Sequence, residues 1–352
     1  MQVVSTNIST SHAKKVVVLG TGGTIAGTGA APDARAYTSA QLGIETLLQG
    51  VPGLSTLLFE RQVVLEMVQI AQIDSKDMGF EVWLRLAQRV AQCLRLDDVA
   101  GVVITHGTDT LEETAYFLHR VLPADCVGRK PVVITCAMRP ATSREADGPK
   151  NLHDAILLAS EPGAAGVMAV CAGQIHAALH VQKVHPYRLD AFDSGDAGRL
   201  GRVSEGRVTM EKPWPWADIA SAESSRAAPA REKPIDLALL AAASTWPRVE
   251  IVTSHAGAGG DLVDALLENG KSLRGIIVAS TGNGTVHHTL EAALVRAQGA
   301  GVRVWRATRC AYGAVQDASG QAHQLPEATT LSPVKARIAL MLELLSLDSL
   351  LR

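Results

Sequence analysis

Aromatic residues, net charge and long apolar runs are all scarce in this sequence of 352 residues. Aromatics make up 4% and the formal net charge is -2, which argues against stacking platforms or basic surfaces for nucleic acid and against binding to anionic membranes. No apolar run approaches the roughly 20 residues that span a bilayer. The polar N-terminal residues lack the apolar stretch of a secretory signal, so we predict a cytoplasmic protein. A periplasmic location stays open if a leader has been removed.

Cysteines are also few, and their spacing does not fit a metal or redox motif. The five are Cys93, Cys126, Cys136, Cys171 and Cys310. No Cys-x-x-Cys occurs, so we expect reduced thiols that mostly fill the core. His176 and His180 have the spacing of a zinc-protease pair but lack the glutamate beside the first histidine. The sequence therefore predicts no metal site and no metal cofactor.

Apolar strand-like runs alternate with segments of helical spacing, and this alternation predicts an α/β fold. The first series predicts a mostly parallel sheet flanked by helices on both faces. A shorter series of the same kind follows a stretch rich in proline, serine and alanine. We therefore predict a larger N-terminal catalytic domain over residues 1–212, a linker over 213–247, and a smaller C-terminal parallel α/β domain over 248–352.

Two turns rich in glycine and threonine follow apolar runs of the first series. Residues 20–27 read GTGGTIAG after one run, and residues 105–110 read THGTDT at the end of another. The carboxyl ends of parallel strands meet at one edge of a sheet, which is where α/β proteins bind their ligands. Neighbouring strands would therefore bring two hydroxyls and one carboxylate together.

The first turn has two other interpretations. A dinucleotide fingerprint needs a glycine where Ile25 stands, and a phosphate loop needs a lysine that is missing here. A purely structural turn stays open. The feature that favours chemistry is the hydroxyl of Thr24, because the adjacent glycines let a substrate approach closely.

The second turn precedes a segment that starts at Leu111 and has helical spacing. This position predicts that Thr110 caps the helix. The helix dipole would favour the charged form of Asp109, and such a carboxylate suits a substrate ammonium.

With these turns the sequence resembles the bacterial L-asparaginase family, also called the asparaginase/glutaminase family. Two signatures carry the resemblance, TGGTIAG at 21–27 and HGTDTLEETA at 106–115. Further matches lie in order along the chain, at 37–38, 74–75, 77–78, 137–140, 146–152, 190–194 and 282–284.

The resemblance implies an amidohydrolase that converts L-asparagine to L-aspartate and ammonia through a threonine acyl-enzyme, with no cofactor. It implies that Thr24 is the nucleophile and that Tyr37, on a mobile loop, assists it. A hydroxyl is a weak nucleophile and needs a neighbouring base. The implied triad consists of Thr108, Lys183 and Asp109.

The same resemblance implies where the substrate binds. Ser75 and Lys76 would hold the α-groups of the substrate together with Asp109 and Thr108. Backbone N–H groups near Gly23 and Thr108 are the candidate oxyanion donors. The partners implied are a small amino-acid substrate and further copies of the chain, as a homotetramer built as a dimer of dimers.

Three positions depart from the family pattern, and all concern the substrate ammonium. Lys76 stands where the family usually has glutamine, no asparagine occurs near Gly257, and Ser319 replaces a glutamate. The alternatives left open are a glutaminase-asparaginase, another ω-amide or β-aspartyl hydrolase, and a weakly active amino-acid sensor. Pairing of Cys93 with Cys126, near the occasional disulfide of the family, is also open.

Overall fold

A computed structural model describes residues 2–4, 13–31, 36–215, 235–243, 245–268, 272–316 and 324–350. The chain divides into two compact units, residues 1–237 and 238–352. Both units are α/β, which confirms the predicted fold class. The exact domain boundaries stay a prediction, and residues 216–234 of the predicted linker lie outside the described residues. No helix in the described part of the chain has the length and apolar character needed to cross a bilayer.

The first unit contains strands β1 to β13 and helices α1 to α6. The strands are β1 (Gln2–Val4), β2 (Lys14–Gly22), β3 (Thr28–Gly29), β4 (Tyr37–Thr38), β5 (Val63–Ile73), β6 (Val99–Thr105), β7 (Pro131–Thr135), β8 (Gly166–Cys171), β9 (Gln174–Ala177), β10 (Gln182–Lys183), β11 (Phe192–Asp193), β12 (Gly201–Ser204) and β13 (Arg207–Met210). The helices are α1 (Ile44–Gln49), α2 (Leu54–Arg61), α3 (Phe80–Arg95), α4 (Leu111–Val121), α5 (Ala124–Val127) and α6 (Gly148–Ala159).

The main sheet of this unit has the strand order β1-β5-β2-β6-β7-β8-β9-β12-β13 within the described residues. Its centre, from β5 to β8, is parallel, and β9, β12 and β13 continue it antiparallel. β2 is buried from Val16 onward, as expected of a central strand with both faces covered. The strands β5, β2 and β6 are therefore adjacent and end at the same edge.

Helices cover both faces of this sheet. On one face, Leu48 of α1, Leu57 of α2 and Ile156 of α6 share a core with Val16 and Val18. The intervening strand residues belong to the opposite face, because side chains alternate along a strand. There α3 and α4 pack together, and the rings of Trp83 and Phe117 stack with centroids 4.8 Å apart.

The second unit is a smaller parallel layer. Helix α7 (Leu237–Ala242) lies at the boundary with the first unit, and it is followed by β14 (Arg248–Thr253), α8 (Asp261–Glu268), β15 (Leu273–Ser280), α9 (His288–Gly299), β16 (Arg303–Thr308) and α10 (Pro333–Leu350). The strands pair in parallel in the order β14-β15-β16. Val263 of α8 and Leu290 of α9 share one apolar core with Ile276 of β15, while α10 packs on all three strands.

Candidate active site

Three turns at the carboxyl edge of the main sheet form the candidate site. Thr24 follows β2, Thr108 and Asp109 follow β6, and Ser75 follows β5. Because β5, β2 and β6 are neighbours, the turns meet at one edge, as predicted for the first two of them. Thr24, Ser75 and Thr108 are all buried, although each carries a hydroxyl.

Glycines let the backbones of these turns approach each other. A Cβ added to Gly23 would lie 2.3 Å from the Cα of Gly107, and one added to Gly107 would lie 2.3 Å from the Oγ of Ser75. No side chain larger than hydrogen fits at either contact. Gly23 also has a φ of 83°, a conformation that glycine adopts without strain. The residues directly before Thr24 and Thr108 are thus in backbone contact.

The hydroxyl of Thr24, in the first turn, forms a hydrogen bond with another hydroxyl. Its Oγ1 lies 2.8 Å from the phenol oxygen of Tyr37, and either atom can donate the hydrogen bond. Tyr37 is 39% exposed while Thr24 is 7% exposed. The hairpin of β3 and β4 places Tyr37 opposite Gly29, so this tyrosine covers the threonine from the solvent side.

Lys183 connects the second turn to a distant part of the chain. Its Nζ donates to Thr108 Oγ1 at 2.8 Å and to Asp109 Oδ1 at 2.6 Å. The Thr108 hydroxyl also donates to the same carboxylate oxygen at 3.4 Å. Lys183 lies on β10 opposite Phe192 of β11. This short antiparallel pair delivers an ammonium group to the site.

Ser75 ties the turn after β5 to the turn after β6. Its Oγ accepts from the backbone N–H of Asp109 at 3.3 Å, and its carbonyl accepts from the Thr110 hydroxyl at 2.7 Å. Thr110 occupies the N-cap position of α4, but its side chain makes no cap hydrogen bond. The predicted side-chain cap is therefore wrong, because the Thr110 side chain is directed at the Ser75 carbonyl and its oxygen accepts no backbone N–H of α4.

Lys76 turns toward its own acidic neighbours. Its Nζ lies 2.9 Å from Asp77 Oδ2 and 3.3 Å from Asp74 Oδ2, with 61% of the side chain exposed. Hydrogen bonds to Asp77 and then to Asp74 raise the pKa of Lys76 above its ordinary value of 10.5. The ammonium is next to the site, but in the described structure its bonds are to these carboxylates. Of the other departing positions, Gly257 has a φ of 71°, and Ser319 lies outside the described residues.

His106 is a residue to which the sequence analysis assigned no role. It is fully buried, its Nδ1 lies 2.7 Å from the Gly107 carbonyl, and its Nε2 lies 2.9 Å from Thr114 Oγ1. Burial lowers the pKa of His106 to about 4. Its place in the THGTDT turn, directly after a buried strand, was the only signal in the sequence, since the Thr114 partner depends on how α4 packs.

The remaining predictions concern His176, a metal site and the five cysteines. His176 lies on β9 rather than a helix, and its Nδ1 is 2.8 Å from Ser194 Oγ. The described residues contain no group of three or more histidine, cysteine, aspartate or glutamate side chains placed to hold a metal ion. Cys93 and Cys126 are free and buried, as are Cys136 and Cys171, whereas Cys310 is exposed.

Hydroxyl groups at the carboxyl edge of a parallel sheet, one of them bound to a lysine and a carboxylate, form a site that suits a hydrolase. The family models agree with this class. The description "Asparaginase, N-terminal" matches residues 15–216, and "Glutaminase/Asparaginase C-terminal domain" matches residues 248–349. The chain therefore belongs to the asparaginase family.

The proteins to which this chain is similar are described either as L-asparaginases or as glutaminase-asparaginases. The chain is 35% identical to a "Probable L-asparaginase periplasmic" of Haemophilus influenzae, over 94% of this chain and 88% of that protein. It is also 35% identical to a "Glutaminase-asparaginase" of Pseudomonas fluorescens, over 94% and 86%. A crystal structure described as a probable cytoplasmic L-asparaginase from Campylobacter jejuni has a TM-score of 0.80 and 35% identity, covering 94% of this chain and 95% of that chain.

Proposed function

We propose that this protein is an L-asparaginase that hydrolyses the side-chain amide of L-asparagine to L-aspartate and ammonia. The observation that carries the proposal is the contact of the two turns, which puts the Thr24 hydroxyl next to the turn that holds the Lys183–Thr108–Asp109 group. Family membership supports the same reaction class.

The chemistry has two stages. The Thr24 oxygen attacks the amide carbonyl and its proton passes to the Tyr37 oxygen, 2.8 Å away, while the proton that Tyr37 carries passes on to the amide nitrogen. Collapse of the tetrahedral species breaks the carbon–nitrogen bond, and the nitrogen leaves as ammonia after taking up a proton. The acyl group then remains on Thr24 as an ester.

Water releases the ester in the second stage. Thr108 Oγ1, which accepts from Lys183 and donates to Asp109, takes a proton from that water while its own proton passes to the Asp109 carboxylate. Water adds its oxygen to the carbonyl, the Thr24 oxygen leaves with a proton, and aspartate is the product. Splitting one difficult displacement into two easier steps is the general advantage of a covalent intermediate.

The substrate's α-groups require charged and polar partners. Asp109 is half-exposed and offers a carboxylate oxygen to the substrate ammonium. Ser75 lies at the same place, with its Oγ against the Asp109 backbone, and Lys76 supplies a positive charge for the substrate carboxylate. Gly23 has no side chain, so the substrate can approach the backbone closely at this position.

Ammonia release from L-asparagine tests the proposal directly. Thr24→Ala removes the nucleophile, and we expect kcat to fall by about 10³-fold or more, as it does when a nucleophile is removed elsewhere. Thr108→Val should cause a loss of the same order. Thr209→Ala, at an exposed position of β13, is the matched control and should keep full activity. Full activity in Thr24→Ala contradicts the assignment.

A glutaminase-asparaginase is the second candidate, and one observation favours it. The relative with that description is as similar to this chain as the H. influenzae relative is. Comparing kcat/KM for L-asparagine, D-asparagine and L-glutamine separates the candidates. Equal values for all three substrates would remove the preference for L-asparagine. Tight amino-acid binding without turnover would instead support a sensor.

The assembly and the compartment are proposals as well. We propose a homotetramer in the cytoplasm, because the family resemblance supports the assembly and a relative described as cytoplasmic supports the compartment. The descriptions of the relatives name both a periplasmic and a cytoplasmic enzyme. Sedimentation of the active protein tests the assembly, and a fully active monomer would refute it.

A further inference from the structure

Four residues form a buried hydrogen-bond relay that ends at the second turn of the site. Trp83 Nε1 donates to Thr114 Oγ1 at 2.8 Å, and Thr114 Oγ1 lies 2.9 Å from His106 Nε2. His106 Nδ1 lies 2.7 Å from the carbonyl oxygen of Gly107. Trp83, Thr114 and His106 are all buried. Nothing in the proposed chemistry uses them directly.

The chemistry of these groups permits one arrangement of protons. An indole N–H only donates, so Thr114 accepts from Trp83 and its single hydroxyl proton goes to His106 Nε2. A carbonyl only accepts, so Nδ1 of His106 must carry the proton that reaches Gly107. The ring is therefore the neutral Nδ1–H tautomer. Its burial, which lowers the pKa of His106 to about 4, keeps it neutral at neutral pH.

This proton arrangement fixes the direction of a peptide group in the site. The Gly107 carbonyl and the Thr108 N–H belong to one planar trans peptide, since no peptide bond in the described chain is cis. The two groups of a trans peptide point in opposite directions. Because His106 holds the carbonyl on the buried side, the Thr108 N–H points away from it. Among the described residues, this N–H has no hydrogen-bond acceptor.

A restraint of this kind is needed at a glycine. Gly107 has no side chain to limit rotation of the adjoining peptide, and it packs directly on Gly23 and Ser75. A peptide flip would turn a carbonyl oxygen toward the position that the N–H now occupies. An acceptor there would repel a developing oxyanion instead of stabilising it.

We propose that His106 is a positioning residue whose Nδ1–H holds the Gly107 carbonyl and thereby directs the Thr108 N–H at the oxygen that becomes negative during amide attack. This inference rests on the proposed function and adds to it a residue that does not touch the substrate. Preorganised donors of this type are effective because they need no reorientation during the reaction.

Two substitutions of His106 separate positioning from packing. His106→Asn places an amide nitrogen near the Nδ1 position, so it retains a donor for Gly107 but loses the Thr114 contact. His106→Gln reaches the Nε2 position, so it retains the Thr114 contact but loses the donor. The same exchanges at His153, a half-buried residue of α6, are the controls.

We expect His106→Gln to lower kcat by about 10²- to 10³-fold, the effect of losing one oxyanion donor. His106→Asn should lose less than about tenfold in kcat, with KM nearly unchanged in both. Both variants should show similar falls in Tm. Equal losses of kcat, or losses that follow Tm alone, would overturn the positioning role.

Long-range ¹H–¹⁵N NMR of the wild-type protein tests the relay without turnover. We expect the Nδ1–H tautomer of His106, and an Nε2–H tautomer would overturn the proposal. Wild-type protein that releases no ammonia from L-asparagine refutes the proposed function, and the positioning role falls with it. If the wild type is active but His106 is the Nε2–H tautomer, only the positioning role is refuted. The same holds if the wild type is active and the two His106 variants lose equal kcat.

Discussion

Gly23 and Gly107 are in backbone contact, and a Cβ on Gly23 would lie 2.3 Å from the Gly107 Cα. This single contact joins the turns that carry Thr24 and Thr108. Each threonine is one residue away from it, so any separation of the two backbones would also separate the two hydroxyls. The distance between the reacting groups thus depends on two residues that carry no functional side chain.

Gly23→Ala should therefore impair activity through geometry alone. The added methyl must push the turns apart, and displacements near 1 Å can cost about 10² in rate. Gly53→Ala is a matched control, because Gly53 also has a positive φ, 71°, but open space around its Cα. Gly53→Ala should cost about 1–2 kcal/mol because Gly53 is in the left-handed conformation. Gly23→Ala should cost about 1–3 kcal/mol, because a φ of 83° with a ψ of -172° lies in a region that is essentially confined to glycine. Measured kcat values that fall equally in both would contradict the contact.

Tyr37→Phe removes the hydroxyl that lies 2.8 Å from Thr24 Oγ1. We expect kcat to fall by about 10²- to 10⁴-fold, the usual contribution of a general acid or base. Substrate binding should change less, because the ring remains. Tyr187→Phe, at a tyrosine that is 84% exposed, is the control. A Tyr37→Phe enzyme with wild-type kcat would show that another group takes the proton from Thr24.

Stability should fall with acid because of His106. Its pKa is lowered from 6.5 to about 4 by burial, so between those values the unfolded chain binds a proton that the folded chain does not. Stability is then fully present above pH 6.5 and decreases as the pH falls toward 4, by about 3 kcal/mol at most.

Urea unfolding at pH 7, 6, 5 and 4 measures this dependence. The His106→Asn variant lacks the titrating ring, so its stability should decline less over the same range. Parallel curves for the two proteins would assign the acid sensitivity to other groups.

Lys76→Gln tests the charge next to Ser75. Removing an exposed ammonium near the substrate carboxylate should raise KM for L-asparagine by about two- to fivefold. kcat should stay constant, and the difference should shrink as salt is added. An unchanged KM at low ionic strength would mean that Asp74 and Asp77 neutralise the ammonium completely.

The regular elements could be predicted because their patterns are local. The helix that begins at Leu111 lies where the sequence analysis placed it, since the turn before it and its helical spacing are local signals. The ribbon of β10 and β11 could not be seen, because two-residue strands have no period. The position of Lys183 therefore came from resemblance alone.

The meeting of the turns after β2 and β6 could also be predicted, because adjacent parallel strands end at one edge. The partners of individual side chains could not. Thr110 has the position of a helix cap, but its side chain is directed at a distant carbonyl and not at the N–H groups of the helix. His106 and Trp83 are linked through Thr114 only after α3 and α4 pack together, so no local pattern announces them.

The distribution of cysteines has a practical consequence. Four thiols are buried in the first unit and Cys310, in the second, is exposed. A maleimide dye added to the native enzyme will therefore attach at one position, far along the chain from Thr24 and Lys183. Fluorescence experiments on this protein can begin from the natural sequence, without first removing any cysteine.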